Sequence, residues 1–442
     1  MENSANIRDT ALAASTPSAS AGWYAVAMLC AALLLSFTDR LIINLVVDPI
    51  RTDLSLSDVK ISLLQGAGFA VIFALAGLPC GRLADSINCR NLIAAGVTLW
   101  SGATIACGLA VDFWSFFAAR VAVGLGEAAL VPAASSLIID LFSPHRRGLA
   151  LGMFSLGATF GTGAALFIGG VLLGWIDAGW FSSVPSIGAL APWRLLMILV
   201  GLPGFALLPL LLLIAEPPRR HTTGLLALSA VFGRLLANNA TVLRVCLVKG
   251  VLGAGDYALI AWLPTLLQRA YGMTPLEAGS MVGLAITISG VTASLAGGAL
   301  SDAIARRWGM RTRVVLLLGC YTLTIAGAAS ILFADTGQQA ALAFAIWALG
   351  SIGGYVVGHV VMQENVPNEM RATTIALSLT VTALIGIGLG PTLVPLVVAH
   401  GFGGDGKLQS AMGTVSLVAS LLAFIVIWPP IRDGFRSARA RV

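Results

Sequence analysis

Residues 81–90 read GRLADSINCR, and residues 298–307 read GALSDAIARR. Both begin on glycine, place an aspartate fifth and end on arginine, and they lie 217 residues apart in a chain of 442. Each follows a long apolar run. A second pair keeps nearly the same offset: LFSPHRRGLALG at 141–152 and NVPNEMRATTIAL at 365–377. Loops that recur at half the chain length predict two parallel copies of one helical unit.

Composition says which solvent those copies meet. Hydrophobic residues are 57% of the chain and charged residues 10%, against about 25% charge in a soluble domain. Mean hydropathy is +0.91. Such a chain lacks the polar side chains to cover a water-facing surface. Apolar runs of about 20 residues are long enough to cross a bilayer core of ~30 Å. They recur near 22–50, 59–84, 92–111, 114–140, 148–175, 194–215, 243–270, 276–301, 312–334, 339–364, 373–399 and 410–430. The prediction is an all-α polytopic membrane protein of twelve transmembrane helices in two six-helix halves, 22–215 and 243–430. The linker between them, 216–242, opens EPPRRHTTG and carries a short amphipathic pattern at 225–237.

Charge predicts the orientation. Among the 26 Lys and Arg, Arg51, Lys60, Arg194, Arg269 and Lys407 fall on one side, and Arg40, Arg120 and Lys249 fall within spans. The other 18 fall on the side of the termini. Cytoplasmic loops carry such an excess, so both termini are expected in the cytoplasm, with the chain in the cell inner membrane. The net charge of +6 is then topology rather than a nucleic-acid surface. Residues 1–21 are Ala/Ser-rich and lack the apolar core of a cleaved signal, so a disordered tail is expected there, with a basic cytoplasmic tail at 431–442. The six cysteines are scattered, with no C-x-x-C pair, which predicts neither a metal site nor a disulfide framework. The four histidines make no dyad, and the glycine runs GLGEAA and GTGAALFIGG lie in apolar spans with no strand before them. No catalytic residue, enzyme chemistry or cofactor is expected.

GRLADSINCR resembles the loop signature of the major facilitator superfamily, G-x-L-a-D-x-x-x-x-R/K, and with the partial copy and the twelve runs the resemblance covers nearly the whole chain. RVAVGLGEAALVPAASSLIIDLF at 120–142, FTDR at 37–40 and LLQG at 63–66 resemble the Spinster branch of that family in its bacterial members. Asp39, Arg120 and Glu127, with Gly124 and Gly126, carry that finer likeness. The loop departs from the signature at Ser86, Asn88 and Cys89, where Arg, Gly and a base are commoner, which thins its charge network. The resemblance implies that spans one, four, seven and ten line a central cavity.

Within that frame three ionisable residues share a depth. At ~1.5 Å per residue, Arg120 lies ~30 Å and Glu127 ~20 Å from the inner end of span four, and Asp39 ~24 Å from the inner end of span one. Arg120 and Glu127 are seven residues apart, two turns, and so share a face. An acid beside an arginine stays ionised, whereas one cut off from arginine and water takes up a proton. Asp39, Arg120 and Glu127 are therefore the predicted proton-coupling set, with a plain ion pair locking span one to span four as the alternative. Arg40 points ~100° away from Asp39, and is equally placed to line the cavity or to pair with a neighbouring helix.

Asp85, as the resemblance implies, would sit at the N-terminus of span eleven, where the helix dipole favours a carboxylate. Gly81 would let the two helices approach, and Arg90 would pair with Asp140 at the foot of span four. The set predicts a latch on the cytoplasmic side of an outward-open state. In the second half Asp256, less the offset of 217, falls on position 39. Ser351, Tyr355, His359 and Gln363 step by four along one drifting face, expected to line the cavity or to bond between helices. Lys249 is expected to snorkel to the inner interface.

The resemblance implies a monomeric secondary transporter working by alternating access, coupled to protons, with lysolipid or sphingoid-type amphiphiles as cargo. Arg120 then also faces the head group. Small organic anions or drugs are the alternative cargo. A membrane sensor or a lipid-modifying enzyme is a further alternative, but the first lacks a sizeable soluble domain and the second a nucleophile–base or metal constellation.

Overall fold

A computed structural model describes residues 19–184, 188–216, 240–366, 371–402 and 407–439; within these, the side chains of 19, 78, 85, 144, 310–312, 371–373, 402 and 433–439 are not described. The helix expected at 225–237, most of the tail at 1–21 and the side chain of Asp85 lie outside the described residues.

Twelve helices are long and apolar enough to cross a membrane. In chain order they are Ser20–Leu45, Asp58–Gly77, Cys89–Gly108, Phe113–Leu141, His145–Asp177, Pro192–Leu212, Ala240–Tyr271, Pro275–Trp308, Arg313–Leu332, Gly337–Glu364, Thr374–Gly401 and Leu408–Arg432. The predicted runs fall on these spans, and the differences lie at the ends. Helix Pro275–Trp308 outruns its apolar segment, and the last helix continues to Arg439 through most of the expected basic tail. Hydropathy marks only what must be dehydrated, whereas the backbone ladder runs on until a cap stops it. Such caps are local. Asn88 accepts from Asn91 N at the start of span three, and Asp112 and Thr274 close capping boxes with Ser115 and Glu277. The bonds from Ser115 hold the loop carboxylate of Asp112 below its usual range.

Packing repeats as the loops do. Span one packs on five, three on four and six, and two on four; correspondingly, seven packs on eleven, nine on ten and twelve, and eight on ten. The halves then meet through span five against eight and span two against eleven. Glycines register how closely. A Cβ placed on Gly170 would lie 2.9 Å from Leu276 Cα, on Gly283 2.7 Å from Gly163 O, and on Gly290 3.2 Å from Thr159 Cγ2. The next step along this seam would bring Gly152 to Gly298, yet neither meets a described atom within 4 Å. The other seam behaves alike: Gly388 is 3.5 Å from Ala70 Cβ, while Gly77 and Gly81 meet no described atom within 4 Å. The halves are joined at the face opposite the termini and parted at the face that carries them. The close approach expected at Gly81 falls where residues 367–370, at the start of span eleven, lie outside the described residues.

The joined face is polar. Arg269 at the end of span seven holds Asp48 at 2.6 Å and Asp58 at 2.8 Å, both from the first half. One turn deeper, Asn44 donates to Ile260 O at 3.3 Å and Gln65 donates to Asn44 Oδ1 at 3.1 Å and Ala261 O at 3.2 Å. Pro264 explains the opening. It has no N–H to offer Ile260 O, four residues back, so that carbonyl is left to a side chain from the other half.

Candidate functional site

Helix Ala19–Leu41 ends inside the membrane and passes into a 3-10 turn, Ile42–Leu45. Span two is broken at Gly66, between helices Asp58–Gln65 and Ala67–Ser86. Both interruptions free carbonyls in a place without water, where each needs a donor. Arg120 supplies it. Its Nε donates to Leu64 O at 2.9 Å, Nη2 to Arg40 O at 3.2 Å and Nη1 to Asp39 O at 3.4 Å. Span four can come close enough because Gly124 and Gly126 carry no side chain: a Cβ there would lie 2.6 Å from Phe69 O and 2.8 Å from Gly96 O.

Arg120 is thus not the counterion of Glu127, as its spacing predicts. Arg40 is. Its Nη2 and Nε both donate to Glu127 Oε2, and the side chains are 7% and 0% exposed. Three rings surround the guanidinium, with its carbon 4.6 Å from the Phe37 centroid, 4.3 Å from Phe69 and 5.2 Å from Phe73. They hold a cation well. Tyr257 of span seven stands against the same guanidinium from the other half. Asp39 turns the other way, toward Thr104 of span three. The predicted triad is therefore divided. Arg40–Glu127 faces the seam between the halves, Asp39 faces span three, and Arg120 lies between them with its guanidinium bonded to backbone carbonyls. The physical cause is the ~100° step between consecutive helical residues, which sends Asp39 and Arg40 to different neighbours.

Two oxygens in this cluster, Asp39 Oδ1 and Glu127 Oε1, are buried with no hydrogen-bond partner. Buried polar atoms are ordinarily satisfied, so these two carboxylate oxygens are exceptions.

The chain matches the family model described as Major Facilitator Superfamily over residues 29–391. The chain belongs to that family. It is similar to a solved bacterial homologue of the human lysosomal transporter Spinster, in inward-facing unoccupied and occupied conformations. To either, identity is 26% and the TM-score 0.76, over 96% of this chain and 98% of that one. It is 28% identical to an "MFS-type efflux pump" of Mycolicibacterium smegmatis, over 91% of this chain and 89% of the relative. To the "Probable sphingolipid transporter spinster homolog 2" of Arabidopsis thaliana it is 28% identical over 57% of this chain and 52% of that one. As a superfamily member it is a multi-pass membrane transporter of small molecules.

The second half holds the remaining predicted residues. Asp256 accepts from Trp347 Nε1 at 2.6 Å and Ser351 Oγ at 2.7 Å, so Ser351 bonds between helices rather than lining open space. Tyr355 Oη donates to Lys249 O at 2.8 Å. His359 and Gln363, farther along the same face, are half-buried. Lys249 does not reach an interface; it is 6% exposed, with Nζ 5.1 Å from the Tyr355 ring centroid. At the face of the termini, Arg90 donates to Leu212 O and Ile214 O at 3.2 and 3.3 Å instead of pairing with Asp140. The cause is Glu216, which takes the free N–H groups of Cys89 and Arg90 at 2.7 and 2.9 Å and draws the end of span six to that helix N-terminus. Asn44, Gln65, Tyr257, Arg269 and Glu216 were outside the predicted set. A glycine and a proline inside apolar spans, Gly66 and Pro264, are the signals that could have shown where such partners are needed.

Proposed function

We propose that this chain is a proton-coupled secondary transporter that works by alternating access, with its termini in the cytoplasm of the inner membrane. The observation that carries the reading is the pair of partnerless carboxylate oxygens beside Arg40 and Arg120. A proton on Glu127 ends its ion pair with Arg40, and Tyr257 contacts that same guanidinium from the other half. Protonation at one residue thereby changes a contact across the seam. Opening the outer side further requires the Arg269 bonds to Asp48 and Asp58 to break, while Asp85, Gly81 and span eleven close as the cytoplasmic latch. The cargo is an amphiphile of the lysolipid or sphingoid class. The parted seam between spans five and eight supports this, since it leaves a gap between apolar helices for a chain to enter from the side. The likeness to an efflux pump favours organic anions or drugs as a second reading.

The test is uptake into vesicles reconstituted with Asp39→Asn or Glu127→Gln, across lysolipids, organic anions and drugs, with and without a pH gradient. Both variants are expected to fold and to lose gradient-driven uptake. A wild-type pH response in both removes the coupling proposal.

A further inference from the structure

Lys249 is 6% exposed, and no hydrogen bond or ion pair joins its ammonium to another described residue. The only candidate carboxylate on its own helix, Asp256, is two turns away and already bonded by Trp347 and Ser351. The Tyr355 ring lies under the charge, and a ring face satisfies none of the three N–H donors directionally. A buried cation left in this condition is costly, and ionisable residues inside a membrane protein are retained for ligands or ions.

A second observation points to the same spot. Ser378 and Thr382, four residues apart on span eleven, face span seven on either side of Lys249. Ser378 stands against Cys246, one turn before the lysine. A Cβ on Gly253, one turn after it, would lie 3.4 Å from Thr382 Cγ2. Ser378 is 1% exposed. Both hydroxyl oxygens, Ser378 Oγ and Thr382 Oγ1, are buried with no hydrogen-bond partner. One charged donor and two hydroxyl groups thus lie along one stretch of the contact between spans seven and eleven, beside Tyr355 of span ten.

We infer that Lys249, Ser378 and Thr382 form a docking point for an anionic oxygen group, a phosphate or carboxylate, on the transported molecule. The inference rests on the transport reading and adds to it where the cargo's charge is held. It also divides labour between the halves: the first half exchanges protons, and the second grips the anion.

Purified full-length protein in neutral detergent is titrated calorimetrically with an alkyl phosphate, an alkyl carboxylate and an alkyl trimethylammonium of one chain length, and with inorganic phosphate. Wild type is expected to prefer the two anionic amphiphiles. Lys249→Met should weaken them about tenfold or more and leave the cation unchanged, while Lys249→Arg retains most of the affinity. The double variant Ser378→Ala, Thr382→Val should weaken the anions by roughly threefold to tenfold, the worth of one or two hydrogen bonds. Lysine-dependent binding of inorganic phosphate would show that the free anion suffices; its absence, with the alkyl phosphate bound, assigns the site to a head group. Unchanged anion affinity in Lys249→Met, or no preference for anions in wild type, overturns the site. Should Lys249→Met fail to fold, unchanged affinity in the hydroxyl variant overturns it. Binding without a gradient separates this test from coupling: a lysine-dependent anion site in a protein whose uptake ignores pH sinks the coupling proposal alone.

Discussion

The two halves repeat one helix-packing plan but handle buried charge in opposite ways. In the first half two acids and two arginines sit within one cluster, with Arg40 neutralised by Glu127 and Arg120 spread over three carbonyls. In the second half the acid is held by neutral donors and the lysine is left without an acceptor. Equivalent positions in a duplicated fold therefore need not do equivalent work. Asp39 and Asp256 match in sequence offset, yet one carries an orphan oxygen and the other has both oxygens bonded.

The comparison breaks or holds on single substitutions. The largest loss is expected from Arg40→Met, which leaves Glu127 buried and uncompensated at a cost of about 3–5 kcal/mol. Thermal unfolding in detergent reads it, and the double variant Arg40→Met, Glu127→Gln should recover much of the loss, since it removes both charges. If the double variant melts as low as the single, the ion pair is not what Arg40 contributes.

An intermediate loss is expected from Arg120→Lys. An ammonium lacks the planar fork and cannot reach all three carbonyls, so bonds worth about 1.5–3 kcal/mol are given up. The pH response of uptake should survive, because Arg120 bonds backbone and not Glu127. Loss of the pH response with unchanged stability would return Arg120 to the proton-coupling set.

The smallest effect is expected from Asp256→Asn, which keeps one acceptor oxygen and surrenders about 1 kcal/mol for one hydrogen bond. Gradient-driven uptake should persist. If it disappears, the second half titrates too, and the contrast between the halves is wrong.

Twelve spans, two halves and three members of the charged cluster, Asp39, Arg120 and Glu127, were legible in the sequence, because each follows from local rules. Hydropathy over about 20 residues marks what lipid will accept, an offset of 217 marks the duplication, and seven residues on one helix mark a shared face. The identity of each partner was not legible. Arg40 and Asp39 are neighbours in sequence, and which of them meets Glu127 depends on the rotation of span one against spans three and four. Gly124 and Gly126 bring span four close to spans two and three, and Gly157 and Gly161 bring span five close to Cys30 and Leu34 of span one. Arg120 reads as a counterion until the broken backbones of spans one and two appear, each with carbonyls that demand a donor. Lys249 reads as an interface residue by its place in the chain, and only the packing of spans seven, ten and eleven buries it. Sequence thus determined which stretches are long and apolar enough to cross a membrane. Tertiary structure decided which of them touch, because side-chain pairing depends on helix rotation and inter-helix distance, and no local pattern encodes those.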